Sequence, residues 1–222
     1  MDALKRKIVL AWIAAPIIVG LFLFGPAGTL DYWQAWVYMA ILFVPVFFVM
    51  VYFLKRDPEF LERRMRMKEK EARQGLIVKA ASIVFLIGFL IPGFDVRFGW
   101  SDVPAEIVLA ADVLVLLGYL TVFLTFKENS YAGRTVQVEK GQTVIMTGPY
   151  SVVRHPMYVG TLLMFLATPV ALGSYVALPL FLLFIPVIVF RILNEEEVLR
   201  RELPGYAEYC EKTKYRLLPF VW

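Results

Sequence analysis

Six apolar runs, at residues 8–24, 33–54, 76–91, 105–126, 157–172 and 175–193, take up about half of this 222-residue chain. A helix needs about 20 mostly apolar residues to cross the hydrocarbon of a bilayer, with roughly 17–25 tolerated. In lipid every backbone polar group must be satisfied within its own element, so runs of this length become helices. Composition agrees, because 59% of the residues are hydrophobic against roughly 45–50% in soluble domains. The reading is an all-α integral membrane protein of about six transmembrane helices, or five if the last pair is a shallow hairpin. The third and fifth runs are short. Prolines 16, 45, 169, 179 and 186 lie within or near the runs, where neighbouring helices of a bundle re-satisfy the freed backbone groups. The start, MDALKRK and then an apolar run, is like a signal peptide but lacks a small-residue cleavage site before Asp31. It reads as a retained first helix.

The charges orient these helices. Lys5, Arg6 and Lys7 precede the first run, eight Lys and Arg lie between Lys55 and Arg73, four follow the fourth run and five lie in the tail. The alternate connections hold only Arg97. A multi-pass protein of the cell membrane, with both termini cytoplasmic, satisfies the positive-inside rule at every loop. Trp33, Trp36 and Trp100 then form an outer aromatic belt. The net charge of +4 comes from these topology signals and does not point to nucleic acid as a partner. One cysteine, Cys210, excludes an internal disulfide and a cysteine-based metal site, so no metal is expected.

Three polar stretches remain. Residues 57–73 are charged and helix-prone, and read as a solvated helix on anionic lipid heads or as a lid over a ligand. Residues 127–147 form the longest polar connection. β-Branched character at 135–138 and 143–146 around Glu139-Lys140-Gly141 makes a short hairpin plausible. The tail, residues 200–222, is amphipathic and is expected under the bundle or along the interface.

Two clusters stand where apolar runs meet polar sequence. Residues 148–160 read GPYSVVRHPMYVG and contain the only histidine, and residues 191–197 read RILNEEE. Taken singly, Arg154 and Arg191 pass as snorkelling topology residues, His155 as a structural side chain and Glu195–Glu197 as a solvated turn. Their convergence weighs more, because ionisable groups at the edge of hydrocarbon are costly unless paired or used. Runs five and six are expected to form an antiparallel hairpin whose open ends bring His155 beside Glu195. Pro156 suits a first helical turn, where its missing donor costs nothing, and that start aims backbone donors at an anionic group.

The pattern GPYxxxRHPxYxG, then RxxxEExxL, then GYxxY before a Leu-Pro-Phe ending, resembles the isoprenylcysteine carboxyl methyltransferase family, whose membrane core is similar to that of phospholipid and small-thiol methyltransferases. The resemblance covers about residues 126–222. It implies a membrane methyltransferase using S-adenosylmethionine that enters from the cytosol. An N-terminal four-helix membrane region at 1–126 would then precede a catalytic region at 127–222. By motif, Gln137 and Thr143, Val144 and Ile145 line the cofactor, and Tyr150, His155, Pro156, Met157 and Tyr158 hold its adenine, ribose and carboxylate parts. Glu195 meets its polar groups and Arg191 reaches the substrate. Arg154 adds a second cation near the reaction centre, so the catalytic set is Arg191, Arg154 and Glu195. No glycine-rich strand-turn-helix fingerprint is present, as expected of a membrane pocket rather than a Rossmann one.

A sulfonium is already an activated methyl donor, so alignment and exclusion of water do most of the catalysis. A carboxylate or thiolate acceptor needs a cation to hold it, and a guanidinium grips a carboxylate through two parallel bonds. An amine must shed a proton, for which Glu195, Glu196 or His155 would serve as base. The implied partners are membrane lipids and a lipid-like or prenylated small molecule or peptide. Carboxylate methylation is the first reading. Phospholipid amine or small-thiol methylation, and a non-catalytic lipid-binding module, are the alternatives, and oligomeric state is not readable.

Overall fold

The computed structural model describes residues 2–65 and 72–222, and among these it contains helices and connections but no strand. The helices are α1 (Asp2–Ala27), α2 (Trp33–Arg56), α3 (Pro58–Arg64), α4 (Ala72–Phe98), α5 (Ala105–Glu128), α6 (Pro156–Ala171), α7 (Leu178–Leu182), α8 (Phe184–Glu202) and α9 (Tyr206–Lys212). A 3-10 turn, Gly148–Ser151, stands before α6.

Five stretches are long and apolar enough to cross a membrane: Ile8–Ala27, Trp33–Arg56, Gly75–Phe98, Ala105–Glu128 and Leu178–Glu202. The protein is an integral membrane protein, and the last of these stretches belongs to the pair that the five-span form of the expectation made a shallow hairpin. The fifth apolar run becomes α6, with 16 residues. Such a helix is about 24 Å long, short of the ~30 Å hydrocarbon layer. The sixth run is split into α7 and α8 at Leu183. Pro186 explains the split, since its ring and missing N–H break the bond to the Leu182 carbonyl that a continuous helix would make.

α6 packs most extensively along α5 rather than along α8. A Cβ on Gly160 would stand 2.6 Å from the Gly118 carbonyl, and one on Gly118 would stand 2.7 Å from the Gly160 carbonyl. Small residues let membrane helices approach this closely, where packing rather than water drives association. Gly160→Leu is expected to wedge the pair apart and cost about 1–3 kcal/mol, the usual range for overpacking. A thermal midpoint equal to wild type in detergent would contradict that close contact.

The two ends of the bundle are built differently. At the end away from the basic loops, buried Asp95 accepts from the Ser101 amide and hydroxyl, both at 2.7 Å, and from the Ser174 hydroxyl. This ties the end of α4 to the turn between α6 and α7. Tyr32 donates to the Leu172 carbonyl at 2.6 Å, and Tyr38 pairs with Thr168 at 2.9 Å. Trp33, Trp36 and Trp100 are exposed at this end, where aromatic belts lie.

The basic end carries the polar connections. Asp57 caps α3 by accepting from the Phe60 amide at 2.9 Å, and Phe60 is buried against Phe53 and Phe126. The first part of the charged segment is therefore anchored, not solvated. Its residues 66–71 lie outside the described residues, and the lid reading lies there with them. In the 127–147 connection the turn forms at 139–142, closed by Gln142 N–H to the Glu139 carbonyl at 3.1 Å. No ladder extends from it, so the hairpin expected there is a turn between two extended arms. The arms spend their bonding on neighbouring helices: Arg63 Nε reaches the Ser130 carbonyl at 3.0 Å, Arg64 Nη1 the Gly133 carbonyl at 2.9 Å, and Arg191 Nη2 the Arg134 carbonyl at 2.6 Å.

Candidate active site

Two neighbouring stripes of α8 organise the basic end. Residues four apart share a helix face, so Ile188, Ile192 and Glu196 form one stripe and Arg191, Glu195 and Leu199 the next. The first stripe is buried, and Glu196 is only 3% exposed. The second lines a cleft.

Glu196 is the hub. Its Oε1 accepts from Arg154 Nε at 2.7 Å and meets His155 Nε2 at 3.2 Å, while Oε2 accepts from Arg216 Nε at 3.1 Å. Arg154 Nη1 also donates to the Thr213 and Lys214 carbonyls at 3.0 and 2.9 Å. The amides of Arg154 and His155 donate to the Tyr215 and Arg216 carbonyls at 2.9 and 3.0 Å. The tail is thus stitched to the start of α6, and both are stitched to α8. A buried charge is tolerable only when its pairing is this complete. Arg154 was expected as a second cation at the reaction centre. It borders the cleft, and its guanidinium braces Glu196 and the tail.

Glu195 faces the other way. Tyr158 donates to Glu195 Oε2 at 2.6 Å and accepts from Arg191 Nε at 2.9 Å. Arg191, Tyr158 and Glu195 therefore form one relay, and Arg191 extends it to the Arg134 carbonyl. His155 precedes α6 and Pro156 is its first residue.

The cleft encloses about 100 Å³ of accessible space and is partly open. Gln137, Thr143, Val144 and Ile145 line it from the 127–147 connection. Tyr150, Arg154, His155 and Pro156 line it from the turn and the start of α6, and so do Met157 and Tyr158. Arg191 and Glu195 complete the set from α8. Every residue assigned by motif to the cofactor or catalytic set thus borders one space, whereas Glu196, offered as a base, does not.

The same space has walls that sequence reasoning did not name. Asn129 Nδ2 donates to the Tyr150 hydroxyl at 2.9 Å, and the Tyr209 hydroxyl donates to the Tyr150 carbonyl at 2.8 Å. Tyr206 is buried in the cleft wall, and its hydroxyl has no hydrogen-bond partner among the described residues. Burial is the main force raising the phenol pKa of Tyr150 and Tyr206, so both stay protonated. The GYxxY spacing was the signal for Tyr206 and Tyr209, since it places both on one face of α9.

A second space adjoins the first. An apolar groove runs along α4, α6 and α8, lined by Ile77, Phe85, Phe165, Phe184 and Ile188 among others. Met157, Tyr158 and Arg191 border both the groove and the cleft.

Parts of the chain match known proteins. Residues 107–204 match the phospholipid methyltransferase family. A 106-residue stretch is 34% identical to Delta(14)-sterol reductase TM7SF2 of Mus musculus, covering 44% of this chain and 25% of that protein. A 106-residue stretch is 32% identical to the cobalt-zinc-cadmium resistance protein CzcN of Cupriavidus metallidurans, covering 46% and 47%. The matches thus span about a quarter and about half of the length of these relatives. The eukaryotic intramembrane Ras methyltransferase, isoprenylcysteine carboxyl methyltransferase, superposes over 100% of this chain and 87% of that one, with a TM-score of 0.48 and 15% identity. The family match thus runs from α5 to just past the end of α8.

Proposed function

We propose that the protein is an S-adenosylmethionine-dependent methyltransferase that modifies an amphiphilic acceptor, with a carboxylate as first choice. The observation that carries this reading is the shared wall. Met157, Tyr158 and Arg191 border both a cleft of mixed polar and apolar lining at the basic end of the bundle and a more apolar groove along α4, α6 and α8. A water-soluble donor and a lipidic acceptor can each reach that wall from their own phase.

The residues present fit the donor. Its adenine suits a wall of Tyr150, Val144, Leu203 and Tyr206 side chains. Its amino and carboxylate groups suit Glu195, Gln137 and the unpartnered Tyr206 hydroxyl, since a buried hydroxyl left unpaired is costly and a ligand can repay it. When bound, the donor supplies an electrophilic methyl on a cationic sulfur. Tyr158 holds Arg191 and Glu195 in fixed orientation across the wall, and Arg191 grips an anionic acceptor through its guanidinium. The groove keeps water from the acceptor. Arg154 acts indirectly, by fixing Glu196 and hence the phase of α8. The bias of Lys and Arg puts the cleft, with both termini, on the cytosolic side.

The family match to phospholipid methyltransferases favours one second reading, an amine acceptor, in which Glu195 would take the amine's proton. The reductase relative carries the shared segment with a different named activity, so the donor itself has to be tested. Purified protein in nanodiscs should transfer label from methyl-labelled S-adenosylmethionine into a total lipid extract supplemented with a prenylated cysteine peptide. Base-labile, volatile label marks a methyl ester, whereas base-stable label in the phospholipid fraction marks the amine reading. No transfer to either pool, with saturable binding of a nicotinamide dinucleotide instead, would overturn the proposal. Glu195→Gln is expected to weaken donor binding by about tenfold, the scale of one charged hydrogen bond. Unchanged binding would move Glu195 out of the donor site.

A further inference from the structure

Residues 216–222 form a closed loop with two unlike sides. The amides of Arg216, Leu217 and Leu218 donate to the Trp222 carbonyl at 2.8, 3.0 and 3.3 Å, and those of Val221 and Trp222 return to the Leu218 carbonyl, both at 3.1 Å. On one side Leu217 is buried against Tyr158, Ile188 and Ile192, with Trp222 packed on the same cluster. On the other, Leu218, Phe220 and Val221 are 56, 87 and 77% exposed. Phe220 is the one non-glycine residue with positive φ among the described residues, at 65°. That backbone is costly for a bulky side chain and persists where something else repays it. Within the described residues the Phe220 ring meets Tyr215, with centroids 5.3 Å apart, and the rest of it is open. The fold alone therefore gives little return for holding this ring outward.

The inner side of the loop fixes its depth. Ile188 lies about 12 Å along α8 from Glu196 by helical rise, inside the stretch Leu178–Glu202 that is apolar and long enough to cross a membrane. Val159 and Leu162 of α6 pack on the same cluster. Leu217 and Trp222 are thus clasped to the apolar flank of the bundle, and a loop held there meets lipid on its other side. Lys212 and Lys214 are exposed just before it, and residues 212–222 contain no Asp or Glu. Basic side chains are drawn to an anionic leaflet, and apolar insertion joined to basic attraction gives the two signals that stable anchoring takes.

We infer that Leu218, Phe220 and Val221 are a lipid-inserting tip, which seats the tail in the headgroup–acyl boundary of an anionic leaflet at the basic end of the bundle. The same tail supplies the Tyr215 and Arg216 carbonyls that hold the Arg154 and His155 amides, so the leaflet steadies one wall of the cleft. The inference does not depend on which reaction the cleft carries out.

The test puts a nitrobenzoxadiazole label on a single cysteine, Phe220→Cys, in a Cys210→Ser background, in nanodiscs of phosphatidylcholine and phosphatidylglycerol. Glu208→Cys, exposed on α9, is the aqueous control. The label at 220 should emit at shorter wavelength than the one at 208, and doxyl groups carried high on the lipid chains should quench it several-fold more. A water-soluble nickel chelate should show the reverse order. A label at 220 that the chelate reaches as freely as the one at 208 would overturn the inference. So would a label shielded from both quenchers with energy transfer between labelled copies, because the tip would then cover a second copy. Phe220→Gly checks the unlabelled protein, since glycine takes the positive φ without strain. A purely structural tip predicts a tail at least as resistant to protease as wild type. A lipid anchor predicts several-fold faster cleavage within residues 203–222 in the same nanodiscs, with the thermal midpoint of the bundle unchanged. Cleavage no faster than wild type would therefore also overturn the inference.

Discussion

Glu196→Ala is expected to cost about 3–5 kcal/mol of stability, because it strips the partner from buried cations instead of removing a whole network. Arg154 and His155 would be left facing each other in the wall, and Arg216 would lose the bond that docks the tail. The loss should therefore be local in one respect. Segment 203–222 should become accessible to protease before the bundle unfolds, because its attachment to α6 runs through the Arg154 carbonyl contacts and the same carboxylate. Glu196→Gln keeps an acceptor oxygen and should fall between the two. Detergent titration of unfolding, with proteolysis in parallel, checks both points. A wild-type midpoint and an intact tail in Glu196→Ala would show that the hub is dispensable.

Arg191→Ala is expected to lower methyl transfer on the order of 10²–10³-fold, the size found when one charge-stabilising donor is removed from an active site. Donor affinity should change by only a few-fold, because Glu195 keeps its bond from Tyr158 at 2.6 Å. Arg191→Lys should recover little, since an ammonium lacks the rigid fork that reaches the Tyr158 oxygen and the Arg134 carbonyl together. Rate and donor affinity are measured on the same preparation. If both fall equally, Arg191 acts by holding the 127–147 connection, and the acceptor role assigned to it is wrong.

Much of this arrangement was legible in the sequence, for a physical reason. Basic and aromatic residues commonly flank membrane spans, so it was the convergence of arginines, the histidine, tyrosines and carboxylates that made residues 148–160 and 191–197 stand out. Helix type followed from run length, but the split of the sixth run at Leu183 and the short helices α3 and α9 did not. What did not follow was the division of labour between adjacent residues. Glu195 and Glu196 are neighbours in sequence but about 100° apart on a helix, so one faces the cleft and the other is buried. The spacing 188, 192, 196 carried that information, because a carboxylate continuing a buried isoleucine stripe has to be paired. The bracing contacts of Arg154 were hidden for a related reason: besides Glu196, its partners lie in the tail, some 60 residues on, and are backbone carbonyls with no sequence signature. Arg64 was hidden in a run of charges that looks solvated, and only the burial of Phe60 shows that this part of the run turns inward. The 127–147 connection has strand-like composition but no partner strand. Its carbonyls are taken by arginines from α3 and α8 instead, which composition alone does not reveal.

The account depends on one space at the basic end of the bundle accepting the methyl donor. Photocrosslinking of labelled S-adenosylmethionine to the purified protein in nanodiscs, followed by peptide mapping, tests that directly. Saturable labelling is expected on peptides containing Tyr150, Met157 or Tyr206, competed by unlabelled donor and reduced in Glu195→Gln. Absence of saturable labelling at millimolar donor, or label confined to α1 and α2, would contradict it.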